Sequence, residues 1–246
     1  MKSYFLLPLL VISLTIGCSK IDSEDIPQNE IYTDYKVSYD VQNDEVIARA
    51  TFIAKNCSCD KISGLTRVKL SGDSFVTLNG NKLKLDGVID KNLSLEYSGR
   101  LKLDGGAKEV ILTYQNNDGD TFQNRFTLLD EPTFKVPPRI VEVGIDNHLE
   151  IEKDSLPLGE SELYFVLKDD KLRTLQSSPV LNRDINSNGE ASFSLKLDSS
   201  RNEKLSEEGE IGLCGLVKRK NIEKPEAGGL LSLSTCGRPT FVRILN

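Results

Sequence analysis

Apolar and polar residues alternate along most of the chain. Between Glu45 and Lys55 every second residue is apolar, so these side chains would share one face of a strand. Thr121–Leu129 repeats the alternation, with Phe122 and Phe126 on one face. A period of two is typical of half-buried strands. No stretch has a convincing apolar stripe of helical spacing, so the sequence predicts an all-β protein.

Turn residues separate the predicted strands at short intervals. Leu78-Asn79-Gly80-Asn81 predicts a two-residue hairpin turn, because a type I′ turn needs positive φ at both central residues. Asn117-Asp118-Gly119-Asp120 predicts a second hairpin, which joins Val110–Tyr114 to Thr121–Leu128. Short strands at this spacing favour a β-sandwich.

The segment Asp130–Pro138 interrupts the strand pattern. Its three prolines cannot donate to a sheet ladder and stiffen the chain, so we place a domain boundary here. The sequence predicts one sandwich over residues 31–131 and another over 138–246. The strands predicted for the second half are Arg139–Ile145, Leu149–Glu152, Glu162–Lys168, Ala191–Leu197, Glu208–Lys218, Leu230–Thr235 and Thr240–Leu245.

The first seventeen residues predict a signal peptide. A positive start is followed by an apolar run over Tyr4–Ile16, too short for a helix that spans a bilayer. The run ends in Leu14-Thr15-Ile16-Gly17-Cys18, which resembles the lipobox of bacterial lipoproteins, although Thr15 stands where leucine is usual. The resemblance implies cleavage before Cys18, lipidation of its thiol and new amino group, and attachment to a membrane through that residue.

Residues 18–30 are polar and acidic, and we interpret them as a lipidated tether. A flexible stretch of this size would reach on the order of 20 Å from the lipid. Acidic residues soon after the lipid cysteine also resemble the surface-export signals of Bacteroidetes lipoproteins. A plain solvated linker is the alternative.

Composition narrows the range of functions. The chain has 31 basic and 37 acidic residues and a net charge of −6, so it carries no electrostatic signal of nucleic-acid binding. His148 is the only histidine that could act as a catalytic base, and no serine stands in a nucleophile elbow. We therefore expect no enzymatic activity and no cofactor, with a hydrolase as the alternative.

Four cysteines follow Cys18. In a hairpin centred near Pro225, Cys214 and Cys236 would face each other at the separation that a disulfide requires. Cys57-Ser58-Cys59 could chelate a soft metal, but the sequence around it supplies no further cysteine, histidine or methionine. A local disulfide, or a bridge from one of these two cysteines to another, is the preferred interpretation.

Two short motifs lie in the second half. Asp184, Asn186 and Asn188, followed by Gly189, match the first half of a calcium loop. A polar hairpin loop is the preferred interpretation, since the twelfth position is Leu195 and not glutamate. Asp154-Ser155-Leu156 resembles the O-glycosylation motif of exported Bacteroidetes proteins, with Ser155 as the acceptor.

Two strand-rich units behind a lipobox and an acidic segment resemble the tandem immunoglobulin-like lipoproteins of Bacteroidetes. The resemblance implies an outer-membrane protein, held by lipid and facing the periplasm or the cell surface. We expect a non-enzymatic binding or structural module with a protein partner at the cell envelope. The alternatives are a pilus or adhesin component that exchanges a terminal strand, and a glycan-binding or glycan-degrading surface protein.

Overall fold

A computed structural model describes residues 20–54, 66–86, 95–103, 108–152, 161–171, 174–180, 190–194 and 207–245. These residues form β-strands and two short 3-10 turns, Ser23–Asp25 and Gln28–Glu30, so the predicted all-β class is confirmed. The strands are β1 Lys20–Asp22, β2 Ile31–Asp40, β3 Glu45–Ala54, β4 Thr66–Lys69, β5 Phe75–Leu78, β6 Asn81–Lys82, β7 Lys84–Leu85, β8 Tyr97–Lys102, β9 Glu109–Gln115, β10 Thr121–Thr127, β11 Phe134–Val136, β12 Ile140–Glu142, β13 Asp146–Ile151, β14 Ser161–Asp169, β15 Thr174–Val180, β16 Glu190–Ser194, β17 Glu208–Arg219, β18 Gly229–Cys236 and β19 Thr240–Leu245.

The first sandwich packs two sheets face to face. One sheet contains β4, β3 and β2 in order, with β8 paired to the first half of β3, and the other has the order β10-β9-β5-β6. Val46, Ala48 and Ala50 are fully buried, because the alternation in β3 turns every second side chain inward.

Aromatic rings occupy the centre of the first core. Phe52 lies edge-on to Tyr35 and Tyr97, with ring centroids 6.4 and 5.8 Å apart, and its centroid is 4.8 Å from that of Tyr114. Such pairs contribute about 0.5–1.5 kcal/mol each beyond the burial of their area. The sheets are therefore held by one contiguous aromatic group at their centre.

The second sandwich is built in the same way. β12, β19, β17, β14 and β15 form its larger sheet, and β11, β13 and β16 form the other. Phe165 and Leu167 from β14 meet Leu149 and Ile151 from β13 in its core. The side chains that fill this core come mainly from leucine, isoleucine and valine.

One continuous sheet joins the two sandwiches. β18 pairs antiparallel with β17 and parallel with β2, in register from Gly229 opposite Thr33 to Cys236 opposite Asp40. Leu231 and Leu233 of β18 are 1% exposed and lie in the first core. The domain boundary predicted from the sequence placed β18 in the second sandwich alone. The β17–β18 hairpin extends past its own sandwich, and so it completes the neighbouring one.

The start of the described chain differs from the expected tether. β1 pairs in parallel with β4, and Ser23, Ile26 and Gln28 are buried. Residues 20–30 therefore belong to the first sandwich and are not a solvated linker. The tether prediction was wrong here because buried Ser23 and Gln28 fix this segment together with the isolated apolar side chain of Ile26, and such a mixture gives no alternating pattern in the sequence.

Turn chemistry placed both predicted hairpins correctly. Asn79 and Gly80 have φ of 45° and 79° between β5 and β6, and β9 pairs with β10 around Gly119. β15 was not predicted, because Thr174–Val180 lacks alternation and contains a proline. Among the described strands it pairs with β14 alone, and an edge strand tolerates a proline.

Candidate functional site

A groove of about 430 Å³ lies where the continuous sheet passes from one sandwich to the other. We call it the junction groove. It is lined by the end of β2 and the following turn, by β14, by the first half of β17, and by the chain from Cys236 to Pro239. Both sandwiches therefore contribute to it, so its shape depends on how they are joined.

The first sandwich contributes Tyr39, Asp40 and Gln42. The Tyr39 hydroxyl donates a hydrogen bond to Asp44 Oδ1 at 2.8 Å, and this bond raises the pKa of the Tyr39 phenol. Asp40 Oδ1 accepts hydrogen bonds from the backbone amides of Gln42 and Asn43. These contacts fix the β2–β3 turn, so this wall is preformed.

The second sandwich contributes an open sheet face. Lys168 and Glu210 are cross-strand partners on β14 and β17, and the next pair along the same face is Val166 and Gly212. A Cβ atom at Gly212 would meet Gly237 and Pro239 only at 3.8 Å or more, which is ordinary contact. The missing side chain at Gly212 thus leaves space in the groove.

An apolar strip continues this face away from the groove. It consists of Ile140, Phe241 and Leu245, which are 51%, 80% and 37% exposed. Phe241 is the cross-strand partner of Glu210, which lines the groove. Arg243 lies between Phe241 and Leu245 on the outer face of β19, so charge and apolar surface alternate there.

The linker between the sandwiches fixes their junction. Thr235 Oγ1 donates a hydrogen bond to the Leu129 carbonyl at 3.2 Å, and the Arg238 amide donates to Glu131 Oε1 at 2.8 Å. A Cβ atom at Gly237 would lie 2.1 Å from the Pro132 carbonyl oxygen, so only glycine fits there. Together with the eight β2–β18 pairs, these contacts hold both walls in one arrangement.

A third contact joins the sandwiches at the other end of β18. Asn124 and Glu223 exchange two hydrogen bonds: Asn124 Nδ2 donates to the Glu223 carbonyl and the Glu223 amide donates to Asn124 Oδ1. The Gln123 amide also donates to Glu223 Oε2 at 2.7 Å. The loop before β18 is therefore bound to the first sandwich along with the strand itself.

The Cys214–Cys236 disulfide is confirmed. The two residues are directly opposed in the β17–β18 register, with Cα atoms 4.0 Å apart, and both line the groove. β17 pairs with β19 over Glu208–Ile211 and with β18 over Cys214–Arg219, and the bridge lies at the start of the second pairing. It is structural, and it holds the chain that borders the groove.

The other candidate residues lie outside the described part of the chain. They are Cys18, Cys57, Cys59, Ser155, Asp184, Asn186 and Asn188. Within the described residues, no group of three or more histidine, cysteine or carboxylate side chains is arranged to hold a metal ion. No helix among those residues is long and apolar enough to cross a membrane.

The strand-exchange hypothesis requires a terminal strand, such as Thr240–Leu245 or the segment near Tyr35–Val41, to leave its own sheet, but β19 and β2 are both paired within the chain. β19 lies between β17 and β12, and β2 lies between β3 and β18. The predicted departure of a terminal strand from its own sheet is therefore wrong for these two strands. Each gains its ladder of hydrogen bonds inside one molecule.

The sequence interpretation did not find the junction groove. Its residues come from three parts of the chain that are far apart in sequence, namely the end of β2, β14 and the region from β17 to Pro239, so no local motif marks it. The available signal was Gly212 between Ile211 and Leu213, since a strand glycine often marks the close approach of another chain or ligand. Phe241 beside the polar residues of β19 was a second signal.

Comparison with known proteins assigns no family. No family model matches the chain, and no curated protein matches it. Among solved structures, the tandem Ig repeats of Dlar are similar at 10% identity and a TM-score of 0.33, covering 87% of this chain and 96% of that one. The SGBP-B protein of the Bacteroides ovatus mixed-linkage glucan utilization locus, solved with a mixed-linkage heptasaccharide, is similar at 10% identity and a TM-score of 0.24. That match covers 89% of this chain and 61% of the other.

Proposed function

We propose that the protein is a lipid-anchored, non-enzymatic binding module of the cell envelope, and that it holds a protein partner on the junction groove and the apolar strip. The observation that carries this proposal is Phe241, which is 80% exposed beside the groove. An exposed aromatic residue next to a preformed depression is the usual chemistry of an interface hot spot. Burying such a ring contributes about 1.5–3 kcal/mol.

The surrounding charges suit recognition of a protein surface. Glu210 and Lys168 border the groove, and Glu208 and Arg243 are cross-strand partners next to Phe241 on the same sheet face. Interspersed charges around an apolar centre set the orientation of a partner more than its affinity. The face extends over β12, β19, β17 and β14, which is about 15 Å across at the usual strand spacing.

The lipid attachment in this proposal depends on Cys18. It is tested by mass spectrometry of the N-terminal peptide of protein purified from membranes. The expected result is a chain that begins at Cys18 and carries acyl groups. A chain that begins elsewhere, or an unmodified thiol, would contradict the anchor and leave the groove proposal to its own test.

A photo-crosslinking amino acid in place of Phe241 tests the binding surface in intact cells. We expect a product of discrete mass that periodate leaves unchanged and whose digest contains peptides of a second protein, because the partner is a protein. The same product should be lost when Gly212→Val fills the groove. This substitution adds a β-branched residue to a strand position where a side chain has room.

A crosslinker at Val136 is the matched control. Val136 is 53% exposed on β11, in the opposite sheet of the second sandwich. If the product forms equally from both positions, or does not respond to Gly212→Val, the groove is not the binding surface.

Glycan binding is the second candidate. The specific observation is that the groove combines the Tyr39 ring with the carboxylates of Asp40 and Glu210 and the amide of Gln42. Such a set could stack on a sugar face and bind its hydroxyl groups. A crosslinked product whose mass falls on periodate treatment, and whose digest contains peptides of this chain alone, would favour this candidate over a protein partner.

A further inference from the structure

We propose that the first sandwich stands directly on the membrane, with no flexible spacer. Only Ser19 separates Cys18 from β1, the first strand of the folded sandwich. Two residue steps can span at most about 7 Å. The inference rests on the proposed lipidation of Cys18, and it identifies the surface of the protein that faces the lipid.

A polar network fixes the segment that follows the anchor. Ser23 Oγ accepts hydrogen bonds from the Ser71 amide at 2.9 Å and from Asn117 Nδ2 at 3.1 Å. Asn117 Oδ1 accepts from the Asp73 and Ser74 amides at 2.9 and 3.0 Å. Ser23 is fully buried, so these bonds form away from water and breaking one leaves an unpaired polar group.

Gln28 extends this network to a second turn. Its Nε2 donates to the carbonyls of Ser23 and Ile26, and its Oε1 accepts from the Asn117 amide at 3.2 Å. Asn29 and the loop before β18 are joined by a bond from the Ala227 amide to the Asn29 carbonyl at 2.8 Å. Residues 23–30 and the turns 71–74 and 116–120 therefore form one end of the sandwich, which we call the anchored end.

The close packing of Gly72 supports a fixed segment. Gly72 has φ of 60°, and a Cβ atom there would lie 2.7 Å from both Glu24 Oε1 and Asn117 Oδ1. A flexible tether would leave this space open. The turn has no room for a side chain because the N-terminal segment is packed against it.

The charge of the anchored end indicates what brings it to the membrane. Its exposed ionisable residues include Glu24, Asp25, Asp73, Asp118 and Asp120. Anionic head groups attract basic clusters and not acidic ones. The contact therefore depends on the acyl chains at Cys18 and not on electrostatic attraction.

This placement sets the position of the junction groove. Cross-strand pairs link Lys20 to Arg67, Arg67 to Ile53, and Ile53 to Tyr32. The first described residue after the anchor therefore lies level with the start of β2. The groove begins at Ser38, six residues further along the strand, which is about 20 Å at the usual strand rise. β2 acts as a rigid spacer, and the second sandwich extends from its far end.

Neutron reflectometry of the acylated full chain on a bilayer of phosphatidylethanolamine and phosphatidylglycerol tests the contact. We expect protein density to begin at the head groups. Twelve Gly and Ser residues inserted between Ser19 and Lys20 should open a hydrated layer on the order of 20 Å. The same hydrated layer in both proteins would overturn the inference.

Two controls separate this inference from the proposed anchor. Mass spectrometry of the same sample reports whether Cys18 is acylated; an acylated chain with a hydrated layer contradicts the contact alone. The unacylated Cys18→Ser chain should not bind the bilayer. If it forms the same layer as the acylated chain, the acidic end adsorbs by itself and the stated role of the acyl chains is wrong.

Hydrogen exchange in the soluble chain tests the packed segment without a membrane. Gly72→Ala should make the amides of Glu24 and Asn117 exchange about tenfold faster, because the new methyl group displaces both side chains. Gly80→Ala, in the β5–β6 turn outside the anchored end, is the matched control, since its φ is also positive but a Cβ atom there has no neighbour within 4 Å. Equal acceleration in both variants would mean that the segment is not packed on the turn.

Discussion

The two sandwiches differ in what completes them. The first receives β18 from the second half of the chain, and Leu231 and Leu233 fill its core. The second is closed by its own strands and by the Cys214–Cys236 bridge. The difference implies a one-way dependence: the first sandwich needs the second in order to bury its core. This coupling is also what gives the junction groove two fixed walls.

Separating the two halves of the chain should have the largest effect on the folding of the first sandwich. A fragment of residues 19–138 lacks β18, so the edge of β2 and the apolar side chains beneath it face water. We expect this fragment to be unfolded, with a poorly dispersed amide NMR spectrum. Residues 133–246, added in trans, should restore native dispersion. A well-dispersed spectrum from the first fragment alone would show that the dependence does not exist.

Leu233→Ala tests the same dependence within the intact chain. The substitution removes a side chain that is 1% exposed, and such changes cost about 2–5 kcal/mol. Although Leu233 belongs to the second half, hydrogen exchange should accelerate most in first-core peptides around Tyr35 and Phe52. Leu213→Ala, in the second core, is the matched control and should affect β14 and β19 instead. Identical patterns from both variants would contradict two distinct cores.

Removing the Cys214–Cys236 disulfide tests how much the bridge stabilises the second sandwich. The bridge closes a loop with a sequence separation of 22, for which the chain-entropy estimate is about 3 kcal/mol. The double variant Cys214→Ala, Cys236→Ala should lower the free energy of unfolding by about this amount in urea titrations. A reductant should destabilise the wild type by more than the double variant, in which only a disulfide of Cys57 or Cys59 could still be reduced. A response of the variant to reductant would point to a different disulfide.

Local sequence patterns were enough to predict the strands and turns, but not which sandwich each strand completes. The β9–β10 hairpin and the Cys214–Cys236 pair depend on turns whose residues are close in sequence. The pairing of Gly229 with Thr33 joins distant parts of the chain, and the alternation in β18 is the same whichever core receives its leucines. The hydrogen bonds that Ser23 Oγ accepts from Ser71 and Asn117 leave no apolar period for a sequence pattern to show.

The buried tyrosines give the last and smallest test, through pH. Burial raises the pKa of Tyr35 and of Tyr114 in the first core, so both stay neutral in the folded protein. In the unfolded chain they ionise near pH 10, so stability is constant below that pH and falls as the pH rises above it. Each should contribute about 1.4 kcal/mol of loss per pH unit.

The slope of stability against pH is measured by urea unfolding between about pH 9 and pH 11, on either side of the usual tyrosine pKa of about 10. Tyr35→Phe should remove about half of the loss contributed by the two tyrosines, and first-core peptides should report it in hydrogen exchange. Phe165→Leu, in the second core, is the matched control; it lowers stability but should leave the slope unchanged, since it adds and removes no titrating group. An unchanged slope in Tyr35→Phe would mean that Tyr35 does not contribute to the alkaline loss.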